Sequence, residues 1–312
     1  MKKSGMALSR NAFGQFLNLP AVWSTLKLLT KPSLAVPQIT ATSLSQLSVQ
    51  EIQNRGIKYI VFDKDNTLCL PFDKLVHPSV QEKLQEIQAV YPSRCVNVCT
   101  LYRIQFIVYY VLCAAYLLLT FIRMIPPLNT TRSRIAILSN SIGSSDDVNY
   151  EAAAACEAAV GINVIRHVTK KPGVGCFHEV VLHFQKYEEC LDQEKGVAGG
   201  MDKGETLPGA ARPTSPSPGR VTTEQICVIG DRVLTDIVFA NRYGMHSILV
   251  SPLTETLNYS LSEVLKVDNV AAVVFRSFEL TVLLPFMKMM GVKALEVGTG
   301  AGAVESVSDR RS

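Results

Sequence analysis

Apolar and polar positions along the chain fall into short blocks of two kinds. Residues 57–62 (IKYIVF) form an almost unbroken apolar run that stops at a charged turn. That pattern predicts a strand buried on both faces. Residues 135–138 and 226–229 repeat it, each ending in a polar turn, and 163–167 and 247–250 complete five predicted strands. Between them lie helical patterns. Residues 79–90 carry Val80, Leu84, Ile87 and Val90 at helical spacing. Residues 150–160 are Ala-rich, and 175–187 and 234–243 read as helices, the last closing at Gly244. Strands alternating with helices predict an α/β fold, a parallel sheet covered on both faces. In such sheets the ligand site lies at the carboxyl ends of the strands.

This pattern places a domain over residues 48–292, with 1–47 before it and a tail over 293–312. Two internal segments depart from it. Residues 191–221 are rich in Gly, Pro and Ser and read as a disordered insert. Residues 106–122 are seventeen consecutive positions without a charge, near the lower limit for a membrane-crossing helix. A single crossing there would put the first and second strands on opposite sides of a bilayer. Three readings remain for the 95–133 insert: a membrane-dipping cap, a buried helix, or intron sequence carried into the chain. The last is favoured, because deleting 95–133 leaves a helix, a short turn and a strand with an ordinary loop.

Composition adds location more than chemistry. The chain has 312 residues, 47% of them hydrophobic, enough for one large core. Its net charge of +4 is too mild for a nucleic-acid binder. The charge is uneven: no acid precedes Glu51, while Lys2, Lys3, Arg10, Lys27, Lys31 and seven serines do. A basic, acid-free, Ser-rich start predicts a mitochondrial targeting segment. Apolar residues at 22–29 and 278–290 are candidate membrane-facing patches, with core packing slightly favoured for the second. The eight cysteines show no metal-ligand spacing and fit a reducing compartment better than a disulfide framework.

Four clusters carry candidate chemistry. Asp63 and Asp65, in DKDNTL after the first strand, are two carboxylates able to divide nucleophilic attack and proton transfer. They also stand close enough to share a Mg²⁺, which prefers oxygen ligands. Asp231 and Asp236, in GDRVLTD, are suited to complete and support such a metal site. Ser139, followed by Asn140, offers a hydroxyl and backbone N–H groups to phosphate oxygens. Lys170 and Lys171 are rival cations for the phosphoryl charge. Each cluster has an ordinary alternative, respectively an acidic turn, a helix N-terminus, an N-cap and a solvated basic turn.

In order, Asp-x-Asp-x-Thr, Ser, Lys and Gly-Asp-x4-Asp resemble the four motifs of the haloacid dehalogenase (HAD) superfamily, over about 57–250. FDKDNTL, ILSNS, KKP and GDRVLTDIVFAN are more closely similar to the mitochondrial phosphatidylglycerophosphatase family. The resemblance implies a HAD-like sheet without a large cap; the 31 residues between Ser139 and Lys171 leave no room for one. It implies Asp63 as nucleophile, Asp65 as general acid and base, and Ser139, Asn140 and Lys171 as phosphate binders. Asp63, Asp65 (through its backbone carbonyl), Asp231 and Asp236 would serve Mg²⁺. The implied substrate is phosphatidylglycerophosphate at a membrane surface, on the matrix side of the mitochondrial inner membrane. The alternatives are a soluble HAD phosphatase for nucleotide or sugar phosphates, and an inactive membrane-anchored adaptor. Oligomeric state is not legible.

Overall fold

The computed structural model describes residue 28 and residues 30–95, 131–198 and 221–297. Eight strands are present among them: β1 (Ile39–Ala41), β2 (Tyr59–Phe62), β3 (Ser93–Cys95), β4 (Thr131–Ser133), β5 (Ile135–Ile137), β6 (Asn163–Val164), β7 (Ile226–Gly230) and β8 (His246–Val250). Six of them form one sheet in the order β1-β8-β7-β2-β5-β6, and every pairing in it is parallel. The five predicted strands are all there, though β6 stops at Val164. The sheet is α/β and HAD-like.

The order explains where a site can form. From β2 the chain moves outward to β5 and β6, then returns to the other flank of β2 for β7 and β8. Connections therefore leave the carboxyl ends of β2 and β7 in opposite directions and open a crevice between them. Every residue of β2, β5, β7 and β8 is buried, as expected for strands covered on both faces. One layer packs Ile52, Leu84 and Ile87, from the helices at Val49–Asn54 and Pro78–Val90, under Ile60 and Phe62. The other packs Phe177, Phe184 and Phe239 under Tyr59 and Val61.

Three boundaries differ from the sequence pattern. The fold begins before residue 48: β1 pairs with β8, and Leu28, Leu34, Ala35, Leu44 and Leu47 are buried. A three-residue strand is too short to show a period. It forms because the open edge of β8 offers backbone partners. The long helix Val174–Ala198 runs past the predicted start of the insert at 191, with Leu191 packed against the core. Beyond residue 292, Leu295 packs on a third apolar cluster and its carbonyl accepts from Gln38. Residues 1–27 and 29, where a targeting segment is predicted, residues 96–130 of the apolar insert, 199–220 and the tail after 297 lie outside the described residues. The insert's flanks do not: β3 and β4 pair antiparallel, Ser93 opposite Ser133 and Cys95 opposite Thr131, so both its ends leave from one place.

The segment 278–290, for which core packing was favoured, belongs to a helix spanning Val270–Met289 with a wide π turn at Glu279–Leu283. One side of it packs inward, with Met287 buried and Leu280, Leu283 and Leu284 partly buried against the same apolar cluster as Leu295. The other side is exposed: Val274, Phe275, Phe278, Val282 and Phe286 are all turned outward. Propensity and pattern see only an apolar helix, and which side finds a partner is decided by the tertiary fold.

Candidate active site

Four loops at the carboxyl ends of the strands meet around a cavity of about 570 Å³ lined by Asp63, Asp65, Ser139, Asn140 and Lys171 among others. Asp63 directly follows β2, and its N–H donates to Ile229 O of β7 at 2.8 Å. That bond extends the ladder one residue and fixes where the carboxylate starts. Asp231 follows β7 in the same way. Asp236 sits one turn into the next helix, in a π turn over Val233–Ile237. Gly230 lets it return to the strand end: a Cβ there would come within 2.5 Å of Asp236 Cγ.

One carboxylate oxygen each from Asp63, Asp231 and Asp236 lies within 4.8 Å of the other two, and all three residues are buried. Lys171 reaches between two of them, its Nζ 2.5 Å from Asp63 Oδ1 and 2.6 Å from Asp236 Oδ1. Burial drives the Asp63 carboxyl upward from its ordinary value. Lys171 opposes that shift, and the charges of Asp236, Asp231 and Asp65 add to it. Burial works against the Lys171 ammonium, but Asp236 and Asp63 more than offset it and hold its pKa above the usual lysine value. Asp231 is also shifted upward, chiefly by burial and against the pull of Arg276.

The Asp231 carboxylate tests whether this site suits a cation. Its Oδ1 is buried without a hydrogen-bond partner among the described residues. Its Oδ2 meets Arg276 Nε at 2.7 Å as an ion pair lacking hydrogen-bond alignment. A buried acceptor left open beside two further carboxylates is costly in a folded protein. A hard divalent ion ligated by oxygen removes that cost. The donor set therefore fits a magnesium-like ion.

The expectations for the remaining residues divide. Lys171 is the lysine that reaches Asp63 and Asp236, while Lys170, also on the cavity wall, pairs with Asp146 at 2.5 Å. The side chain of Asp65 does not join the triad. It sits on the cavity wall, with Oδ1 2.6 Å from Lys64 Nζ and Oδ2 accepting from Ser141 Oγ at 2.5 Å. Ser139 is buried at the end of β5, with its Oγ 2.9 Å from Ser141 Oγ. Asn140 lines the cavity, and its side chain holds the lysine loop: its Oδ1 accepts from Lys171 N at 2.7 Å, and its Nδ2 lies 3.4 Å from Lys171 O. It clamps the loop that delivers the lysine. His167 supports the same loop, its Nε2 2.8 Å from Ser139 O and its backbone N–H donating to Gly143 O. Gly143, at φ +70°, cannot be replaced there, since a Cβ would meet Ile165 O at 2.8 Å.

Sequence reasoning missed Ser141 and Arg276. Ser141 stands in the SNS turn already noted. Arg276 and Glu279 are two charges in an apolar helix, which is itself a signal that buried partners await them. Arg276 pairs with Asp231 and with Asp268, the latter at 2.8 Å. Glu279 accepts from Val233 N at 2.8 Å and from Arg232 at 3.1 Å.

A parallel sheet with an Asp-x-Asp strand end, a delivered lysine and a second acidic strand end defines a HAD-type hydrolase, and residues 204–256 match a HAD-hydrolase-like family model. Residues 19–100 and 124–199 match the model of the mitochondrial PGP phosphatase family. The chain belongs to that family. The match breaks over 101–123, inside the apolar insert. Among curated proteins it is similar to the chloroplastic phosphatidylglycerophosphate phosphatase 1 of Chlamydomonas reinhardtii, 30% identical over 71% of this chain and 55% of the relative. The mitochondrial phosphatidylglycerophosphatase GEP4 of Saccharomyces cerevisiae is 24% identical over 75% of this chain and 87% of its own length. The chloroplastic/mitochondrial phosphatidylglycerophosphate phosphatase 1 of Arabidopsis thaliana is 25% identical over 80% of this chain and 53% of its own. The chain thus spans about half the length of the algal and plant relatives.

Proposed function

We propose that this chain hydrolyses the terminal phosphomonoester of phosphatidylglycerophosphate, a lipid at a membrane surface, through an aspartyl-phosphate on Asp63. The observation that carries this reading is the buried meeting of Asp63, Asp231, Asp236 and Lys171 at the sheet's switch point. Family membership and the names of all three relatives supply the substrate.

In the first step an Asp63 oxygen attacks phosphorus, the bond to the lipid oxygen breaks, and Asp65 gives that oxygen its proton. In the second, Asp65 takes a proton from water, the water oxygen attacks phosphorus, and the Asp63 carboxylate is released. Lys171 offsets negative charge on the phosphoryl oxygens and beside Asp63. Ser139 and Ser141 offer hydroxyls to the phosphoryl group, while Asn140 keeps Lys171 in reach. Asp63, Asp231, Asp236 and the Asp65 backbone carbonyl are the groups suited to hold Mg²⁺. When bound, the ion would neutralise charge on the phosphate and orient it for in-line attack.

The acid-free start of the chain and the family's name support a mitochondrial location. Within it we place the protein on the matrix side of the inner membrane. The test is phosphate release from phosphatidylglycerophosphate with and without Mg²⁺. Asp63→Asn is expected to reduce release by roughly ten-thousandfold, the scale for losing a nucleophile. Unchanged turnover in Asp63→Asn, or full activity in chelator, would refute the reading.

A further inference from the structure

The helix Val270–Met289 is inverted relative to an ordinary surface helix. Two of its three charged residues, Arg276 and Glu279, face the protein and are buried, whereas Phe275, Phe278, Val282, Phe286 and Met289 are between 47% and 75% exposed. Those five stand at i, i+3, i+7, i+11 and i+14, which is one face of a helix. Exposed Val270, Val274 and Met290 widen it. Twenty residues span about 30 Å, so this is a long apolar strip. Single exposed apolar residues are ordinary, but a continuous strip marks a surface with a partner.

Three features say what the partner is. First, the strip runs into the active-site mouth: Ala271, Ala272 and Phe275 line the cavity, facing Phe72, itself 73% exposed. A second protein copy seated here would cover the entrance, whereas a bilayer would deliver substrate to it. Second, the only exposed charge within 270–290 is the cation Lys288, while just outside Lys266 and Lys293 are matched by Glu263 and Glu296, so the strip itself turns no acid toward an anionic lipid surface. Third, the helix is pinned. Arg276 holds Asp231 and Asp268, and Glu279 holds Arg232 and Val233 N. By length and composition this helix is able to cross a membrane. Crossing would strip both charges of those partners and leave them in hydrocarbon, at a cost of at least about 2.5–3.5 kcal/mol for an arginine.

The geometry points to Val270–Met289 as an in-plane docking helix: its outer face lies in the interface of an anionic bilayer, with the cavity mouth set at the lipid surface. The inference rests on the lipid-phosphatase reading for its purpose, not for its test. Through Arg276 the same helix touches Asp231, so the lipid-facing element and the acidic triad are one rigid unit.

The test uses the full chain and vesicles of phosphatidylcholine with and without phosphatidylglycerol, read by flotation. Turnover of water-soluble p-nitrophenyl phosphate is measured in parallel. The double variant Phe278→Glu/Phe286→Glu is expected to lose at least about tenfold in vesicle binding, since each buried Phe contributes about 1.5–3 kcal/mol. Its soluble turnover should stay at the wild-type level, which also shows that it folds. Phe278→Ser/Phe286→Ser serves if the acidic pair misfolds. Leu182→Glu, an exposed apolar position on the helix Val174–Ala198, should bind like wild type. Equal flotation of wild type and both double variants would overturn the proposal by assigning lipid binding to another segment. So would a wild-type dimer that the double variant splits, with no flotation by either. If wild type floats but turns over no phosphomonoester, the catalytic reading fails, and the flotation comparison alone decides docking.

Discussion

The strand ends and the C-terminal helix break the usual rule of burial in opposite directions. At the strand ends three carboxylates and an ammonium are buried. Along Val270–Met289 a row of Phe, Val and Met is left in the open. Each arrangement costs the isolated fold free energy, and each would be relieved by the partner proposed for it, a cation in the first case and a lipid surface in the second. Residues that contradict folding logic are where binding is to be sought. The two regions meet at the Arg276–Asp231 ion pair.

Lys171→Met makes the strongest attack on this comparison. It removes the one ammonium between Asp63 and Asp236 and leaves both carboxylates buried. Without divalent ions it is expected to cost roughly 3–5 kcal/mol, read from urea unfolding near neutral pH. A loss below about 1 kcal/mol would mean the cluster is already wet, and the claim of costly buried charge would fall.

Metal addition sharpens it. If the triad is an incomplete oxygen cage, Mg²⁺ at a hundred times its dissociation constant should stabilise wild type by about 2.7 kcal/mol. Asp231→Asn should show no such gain. Equal stabilisation of both proteins would place the ion elsewhere.

The smallest effect comes from an acid whose partners are all internal. Asp147 accepts from Gly143 N at 2.9 Å, Ala152 N at 3.0 Å and Ala153 N at 2.9 Å, capping the helix Glu151–Val160. Burial alone would raise its carboxyl, but those N–H groups and Arg166 hold it below the usual value. A depressed folded pKa gives stability that is present above the unfolded value, near 4, and lost as pH falls through the folded one. Asp147→Ala is therefore expected to cost about 1 kcal/mol near neutral pH, and the gap should close in acid. Urea midpoints across that range check it; a gap that widens in acid would be inconsistent with this account. Asp147 should also show no response to Mg²⁺, which separates a satisfied acid from the open one at Asp231.

Much of the site was legible. DKDNTL and GDRVLTD each follow a strand whose apolar run is unmistakable, so the pattern alone sets Asp63 and Asp231 at strand ends. The choice of Lys171 over Lys170 was not legible, because adjacent residues in a loop differ only in direction. Direction here is set by Asn140, 31 positions away, and by the Asp146 partner of Lys170. The string ILSNS offers Asn140 to phosphate only through the backbone N–H groups that follow Ser139. The grip of its side chain on Lys171 depends on a backbone that folding brings to it. β1 was hidden by its length, and the partners of Arg276 by standing 45 and 8 positions away in the chain.

Periodicity and turn chemistry act between near neighbours, so the sequence by itself determined the alternation of strands and helices and the acids that end them. The family resemblance followed from the same local strings. Three matters depend on groups far apart in the chain: the sheet order, the closing of the acidic triad around Lys171, and which face of Val270–Met289 the described residues leave exposed. Such contacts exist only after the whole chain has packed, because their energies come from pairing buried charge and apolar surface across long loops, and only the tertiary structure decided them.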